Sequence, residues 1–167
     1  MSAGSRFKPR HLSAPPIALS YCRMDPSLQD TLDHVITSWK TQELAYNPGV
    51  TDQVLLAFEK ATAFSCDPAF AAYLRRVNGV ANFAWDDALF SFWSTERILQ
   101  EVADGYQPAD LLCFADHCIS ACVFGFHRRR NDQKIYRHHQ HQEGLEVVAD
   151  SFLDFLRIYL QNSFALT

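Results

Sequence analysis

The sequence predicts an α+β domain: helices first, then a central, mainly antiparallel sheet of about five to six strands, then a helix packed on that sheet. Three observations lead there. Apolar residues recur at helical spacing from about residue 26 to 77, aromatic and β-prone segments cluster from about 80 to 137, and helical spacing returns after 150. At 167 residues and 48% apolar, the chain is long enough for one domain with a real core and too short to expect two.

The first helix is expected from Asp25, which can cap it, with Pro26 at its first position. Leu28, Leu32, Val35, Ile36 and Trp39 then fall on one face. "NPG" at 47–49 marks a turn, and Thr51 can cap a second helix with Val54, Leu55, Phe58 and Ala61 facing inward. A third starts at Asp67-Pro68, carries Phe70, Tyr73, Leu74 and Val77 inward, and should stop at Asn78-Gly79, with the glycine in a left-handed cap. "VANFAW" and "ALFSFW" read as two aromatic strands joined by a hairpin turn at Asp86-Asp87.

Ser94 can cap a short helix through Ile98, Leu99 and Val102 that ends near Gly105. "DLLCFA" and "ISACVFGF" read as buried strands, "HRRRNDQ" as a polar loop, "KIYR" as a short strand and "HHQHQEG" as a histidine-rich loop. The last helix is capped by Asp150 or Ser151 and presents Phe152, Phe155, Leu156, Tyr159 and Leu160.

The longest apolar runs fall short of a membrane-spanning helix, and residues 1–23 lack the apolar core of a secretory signal. An odd count of five cysteines fits free thiols in a reducing compartment, so a soluble, cytoplasmic protein is expected. Residues 1–23 carry Arg6, Lys8, Arg10 and Arg23 and no acid. They form a basic extension, either upstream of a natural start at Met24 or a genuine tail, and residues 24–167 form the single domain. That domain holds 11 basic and 19 acidic side chains, a net of −8. Such a balance disfavours nucleic acid and favours a cationic partner.

Several residue groups invite chemistry. "ADHC" at 115–118 contains the members of a Cys-His-Asp triad, but neighbouring strand residues point to opposite faces, so a polar strand end beside a small buried thiol is expected. Cys113, His117, Cys118 and Cys122, followed by His138, His139 and His141, match no common zinc spacing. Arg128–Arg130 with Arg137 form the dense basic cluster, read as a solvated loop or a counter-patch to an acidic neighbour. No catalytic site, metal or cofactor is expected.

Phe83, Trp85, Phe90, Phe92 and Trp93 cannot all face one core if strands alternate. A rim of aromatics beside carboxylates has the composition of an interface anchor, which nominates Trp85, Asp86, Asp87, Trp93 and Glu96 as partner-binding residues. The competing reading covers the second face of the sheet with a helix and leaves the carboxylates solvating a turn.

Taken in order, "VLLAFEKATAF", "DPAFAAYLRRVNG", "FSFWSTERI", "DLLCFADH", "KIY" and "VVADSFLDFLRIYL" resemble the SUKH superfamily over about residues 50–161. Cys66-Asp67-Pro68 stands where that family often has Leu-Pro, and Val80-Ala81-Asn82 where its hairpin is often rich in glycine. The superfamily is defined by a scaffold and brings no catalytic residues with it. The resemblance implies a protein that works by binding. Bacterial members commonly sit beside a toxin, often a nuclease or other nucleic-acid-modifying enzyme, and neutralise it by contact, while other members act as regulatory adaptors. The expectation is therefore an immunity protein with a basic toxin as partner, or an adaptor for a non-toxin protein, and in either case no enzyme.

Overall fold

A computed structural model describes residues 26–130 and 132–167. The proposed Asp25 cap, the start at Met24, Cys22 and the basic extension lie outside the described residues. Along the chain run α1 (Pro26–Thr41), β1 (Tyr46–Pro48), α2 (Asp52–Thr62), α3 (Pro68–Arg76), β2 (Val77–Val80), β3 (Phe90–Phe92), α4 (Thr95–Asp104), β4 (Leu111–His117), β5 (Cys122–His127), β6 (Ile135–His139), β7 (Glu146–Ala149) and α5 (Phe152–Asn162). Strands β3-β4-β5-β6-β7 make one antiparallel sheet in chain order, and β1 pairs with β2 in a separate antiparallel ribbon. This is the α+β architecture read from the sequence. None of the described helices is long and apolar enough to cross a membrane.

Local capping chemistry sets the helix starts. Thr51, Asp67, Ser94 and Ser151 each accept a hydrogen bond from the backbone N–H three residues on, which supplies a donor that the first turn leaves without an intrahelical partner. Helix α1 buries Leu28, Leu32, Val35, Ile36 and Trp39, the face its spacing predicts. In α2 the buried set is Leu55, Phe58 and Thr62. Val54 and Ala61, expected inward, face solvent instead, because the stripe turns on Leu55 and is completed by Thr62, whose hydroxyl donates to the Phe58 carbonyl at 2.9 Å.

The core lies between the sheet and the helices α1, α3 and α5, and it is largely aromatic. The Phe114 ring on β4 meets Phe152 and Phe155 of α5 edge-on, both at 5.2 Å between centroids. Phe70 of α3 packs on Phe114, Phe126 and Phe152 at 5.0–5.6 Å. Edge-to-face contacts of this kind add to the gain from area burial alone.

Two sequence expectations are corrected between residues 77 and 92. Helix α3 stops at Arg76, and Asn78-Gly79 sits inside β2 and forms no helix cap. Gly79 has φ +67°, and a Cβ there would lie 2.5 Å from the Trp93 carbonyl carbon, so glycine lets β2 cross the end of β3 at backbone contact. Nor do "VANFAW" and "ALFSFW" form a hairpin. β2 pairs with β1, β3 pairs with β4, and residues 81–89 form an irregular loop between the two sheets.

Candidate functional site

The loop at 81–89 is held from beneath by two buried carboxylates. Asp86, expected as an exposed turn charge, is only 6% exposed. Its Oδ1 accepts from the N–H groups of Ala88 and Phe90 at 3.0 and 2.8 Å, and its Oδ2 accepts from the Tyr159 hydroxyl. Tyr159 in turn accepts from Trp39 Nε1 at 3.0 Å, so one chain of hydrogen bonds ties α1 and α5 to the loop. Burial pushes the Asp86 carboxyl above its ordinary range, and these hydrogen bonds oppose the rise without cancelling it. Burial likewise raises the Tyr159 phenol, as does the carboxylate beside it.

The second carboxylate is Asp116 on β4, fully buried. Its Oδ1 accepts from Trp93 Nε1 at 2.5 Å and from the Arg97 guanidinium at 3.3 Å, while its Oδ2 accepts from Trp85 Nε1 at 3.4 Å and from the Ser120 N–H at 2.9 Å. Arg97 lies between two rings, 4.4 Å from the Trp93 centroid and 4.9 Å from that of Phe83, and also donates to Ser91 Oγ at 3.0 Å. A buried carboxylate with this many donors fixes the side chains around it, because each would lose a partner by moving.

Around this hub the five nominated residues separate. Trp93 is buried and Asp86 points inward, so neither presents its side chain at the surface. Trp85 is 38% exposed with its indole N–H held at Asp116, and Asp87 and Glu96 are exposed. Glu96 lines a cleft of about 560 Å³ with residues that include Pro48, Val54, Asn78, Phe83 and Arg97, and neither Trp85 nor Asp87 is in that lining. Asn78 builds the floor of the cleft. Its Oδ1 accepts from Thr95 N–H at 2.8 Å at the start of α4, and its Nδ2 donates to Glu96 Oε2 at 3.0 Å. Partial burial would raise the Glu96 carboxyl, but hydrogen bonds from its own backbone, Ser94 and Asn78 outweigh that and hold it below its usual range. The sequence reading did not find Arg97 or Asp116 as site residues. A charged residue inside an otherwise apolar strand was the available signal for Asp116.

The other candidate groups disperse. Asp116 points to the hub, half-buried His117 packs on Phe90 at 4.9 Å between ring centroids, and Cys118 stands exposed in the following turn. The expectation of a buried thiol at 118 is thereby corrected, because β4 ends at His117. Burial lowers the His117 imidazole and pushes the Cys122 thiol up to about 11. Among the described residues, no group of three or more His, Cys, Asp or Glu side chains is placed to hold a metal ion. Arg128 donates to the Leu111 carbonyl, Arg129 pairs with Asp110, Arg130 donates to Tyr136 and Arg137 pairs with Glu146. Each cation of that cluster therefore has a partner within the molecule.

A five-stranded antiparallel sheet packed on one side by α1, α3 and the C-terminal helix α5 defines the α+β class of the domain. The SMI1 / KNR4 family (SUKH-1) matches residues 49–158, or 110 of the 167, and the chain belongs to that family. The match includes Asp86, Asp116 and Arg97 and the cleft's Asn78, Phe83 and Glu96, whereas Trp39 of α1 precedes it and Tyr159 of α5 lies one residue past its end. Comparison with curated proteins finds no significant match.

Proposed function

We propose that this protein is a cytoplasmic immunity protein that neutralises a cognate toxin, a nuclease or other nucleic-acid-modifying enzyme, by stoichiometric binding and without turnover of its own. The observation that carries this reading is the posture of Trp85. Its ring is partly exposed while its indole N–H is held by the buried Asp116, and the carboxylates of Asp87 and Glu96 stand exposed in the same region of the chain. An aromatic held in place before binding loses little freedom on contact, and carboxylates beside it steer a basic surface toward it. A net of −8 over residues 24–167 repels nucleic acid and suits a basic protein.

The test is inhibition by titration. The purified product of the reading frame beside this protein's gene should lose its activity linearly, with an end point at one equivalent. Full activity at several equivalents contradicts the immunity reading. Binding to a partner with no toxic activity favours an adaptor instead.

A further inference from the structure

We infer that the β4–β5 turn, with Ile119 at its tip, forms the second half of the contact surface and enters an apolar hollow on a basic protein. This rests on the binding role proposed above. Ile119 is 78% exposed, and Phe83 and Leu89 are 54% and 49% exposed. The two loops are joined: Cys118 N–H donates to the Leu89 carbonyl at 3.0 Å, and the Ser120 N–H and Trp85 indole share Asp116 Oδ2. Trp85, Leu89 and Ile119 thus sit on segments that one hydrogen-bond set holds side by side.

The backbone adds an independent argument. Among the described residues nine non-glycine residues have positive φ, and six of them are Asn82, Phe83, Leu89, Cys118, Ile119 and Ser120, on these two loops. Turns of this shape are ordinarily made with Gly, Asn or Asp, which adopt the left-handed region readily. A β-branched isoleucine there at φ +56° is strained, and with most of its surface in water it returns little packing to the fold. Strain without folding benefit points to contact with something outside the chain.

The occupant is a basic protein because Asp87, exposed on the loop that carries Trp85 and Leu89, and Glu96, exposed on α4, are in no ion pair among the described residues, while Arg97 is matched by Asp116 and Glu101. A second copy of this chain would bring the same carboxylates together, which opposes self-association.

The test places a photo-crosslinking amino acid at 119 in the producing cells, with positions 56 and 164, also well exposed but on other elements, as controls. A single basic protein should crosslink from 119 and not from 56 or 164. Purified, that protein should bind the Ile119→Asn and Ile119→Gly variants about tenfold or more weakly. Both variants should melt no lower than wild type, since Asn and Gly relieve the left-handed strain. No adduct from 119, adducts only with a second copy, or wild-type affinity in both variants overturns the inference. A toxin captured at 85 but not at 119 would overturn this inference and leave the immunity reading standing. A non-toxic basic protein captured at 119 would do the reverse.

Discussion

Of the two adjacent carboxylates at 86 and 87, one is folded under its loop and the other faces water, and the difference lies in a partner far along the chain. Asp86 meets the hydroxyl of Tyr159, 73 residues away, which also receives the Trp39 indole. Tyr159→Phe removes that shared oxygen and leaves a buried indole N–H and a carboxylate oxygen short of partners. A loss of about 1 to 3 kcal/mol in urea denaturation is expected. The raised pKa of Asp86 gives a second prediction. The folded state keeps its proton to higher pH than the unfolded chain does, so this residue's contribution to stability falls as pH climbs from the ordinary carboxylate range through the raised pKa. Denaturation across that window should show Asp86→Asn gaining on wild type as pH rises, and a constant difference would contradict the burial argument. Trp93 and Asp86 were legible as members of an unusual segment. That both turn inward was not, because Asp116 and Tyr159 decide it at long range.

The helix starts, whose signals are local, were read correctly, as were β4, β5 and β6 as strands, whereas the partners of β2 and β3 and the end of α3 were not. Caps at Thr51, Asp67, Ser94 and Ser151 lie within three residues of what they bind, so the starts of α2 to α5 stand in the sequence. Strand partners are a tertiary choice. The aromatic runs around Asp86 have the composition of a hairpin, yet β2 is taken by β1 and β3 by β4, and the short, half-exposed β7 gave no alternation strong enough to name. Helix α5 offers the clearest energetic test. Phe155 is fully buried against Phe92, Phe114, Phe124 and Phe152. Phe155→Ala should cost on the order of 3 to 5 kcal/mol in urea denaturation. A loss below ~1 kcal/mol, typical of surface positions, would mean that α5 does not dock on the sheet as described.

Over the whole molecule, the fold carries a cleft and an aromatic loop on a body of net −8, and the account holds that this face captures a basic protein. Steering and anchoring belong to different residues, so they separate kinetically. Asp87 and Glu96 are exposed and act at a distance, whereas Trp85 acts only after contact. The most direct measurement is the binding kinetics of wild type, Asp87→Asn with Glu96→Gln, and Trp85→Ala against the captured partner over a range of salt concentrations. The account predicts slower association and a flatter salt dependence for the charge variant. It predicts faster dissociation for Trp85→Ala, with a cost of ~2 kcal/mol or more. Wild-type kinetics in both variants, with both folded, would contradict it.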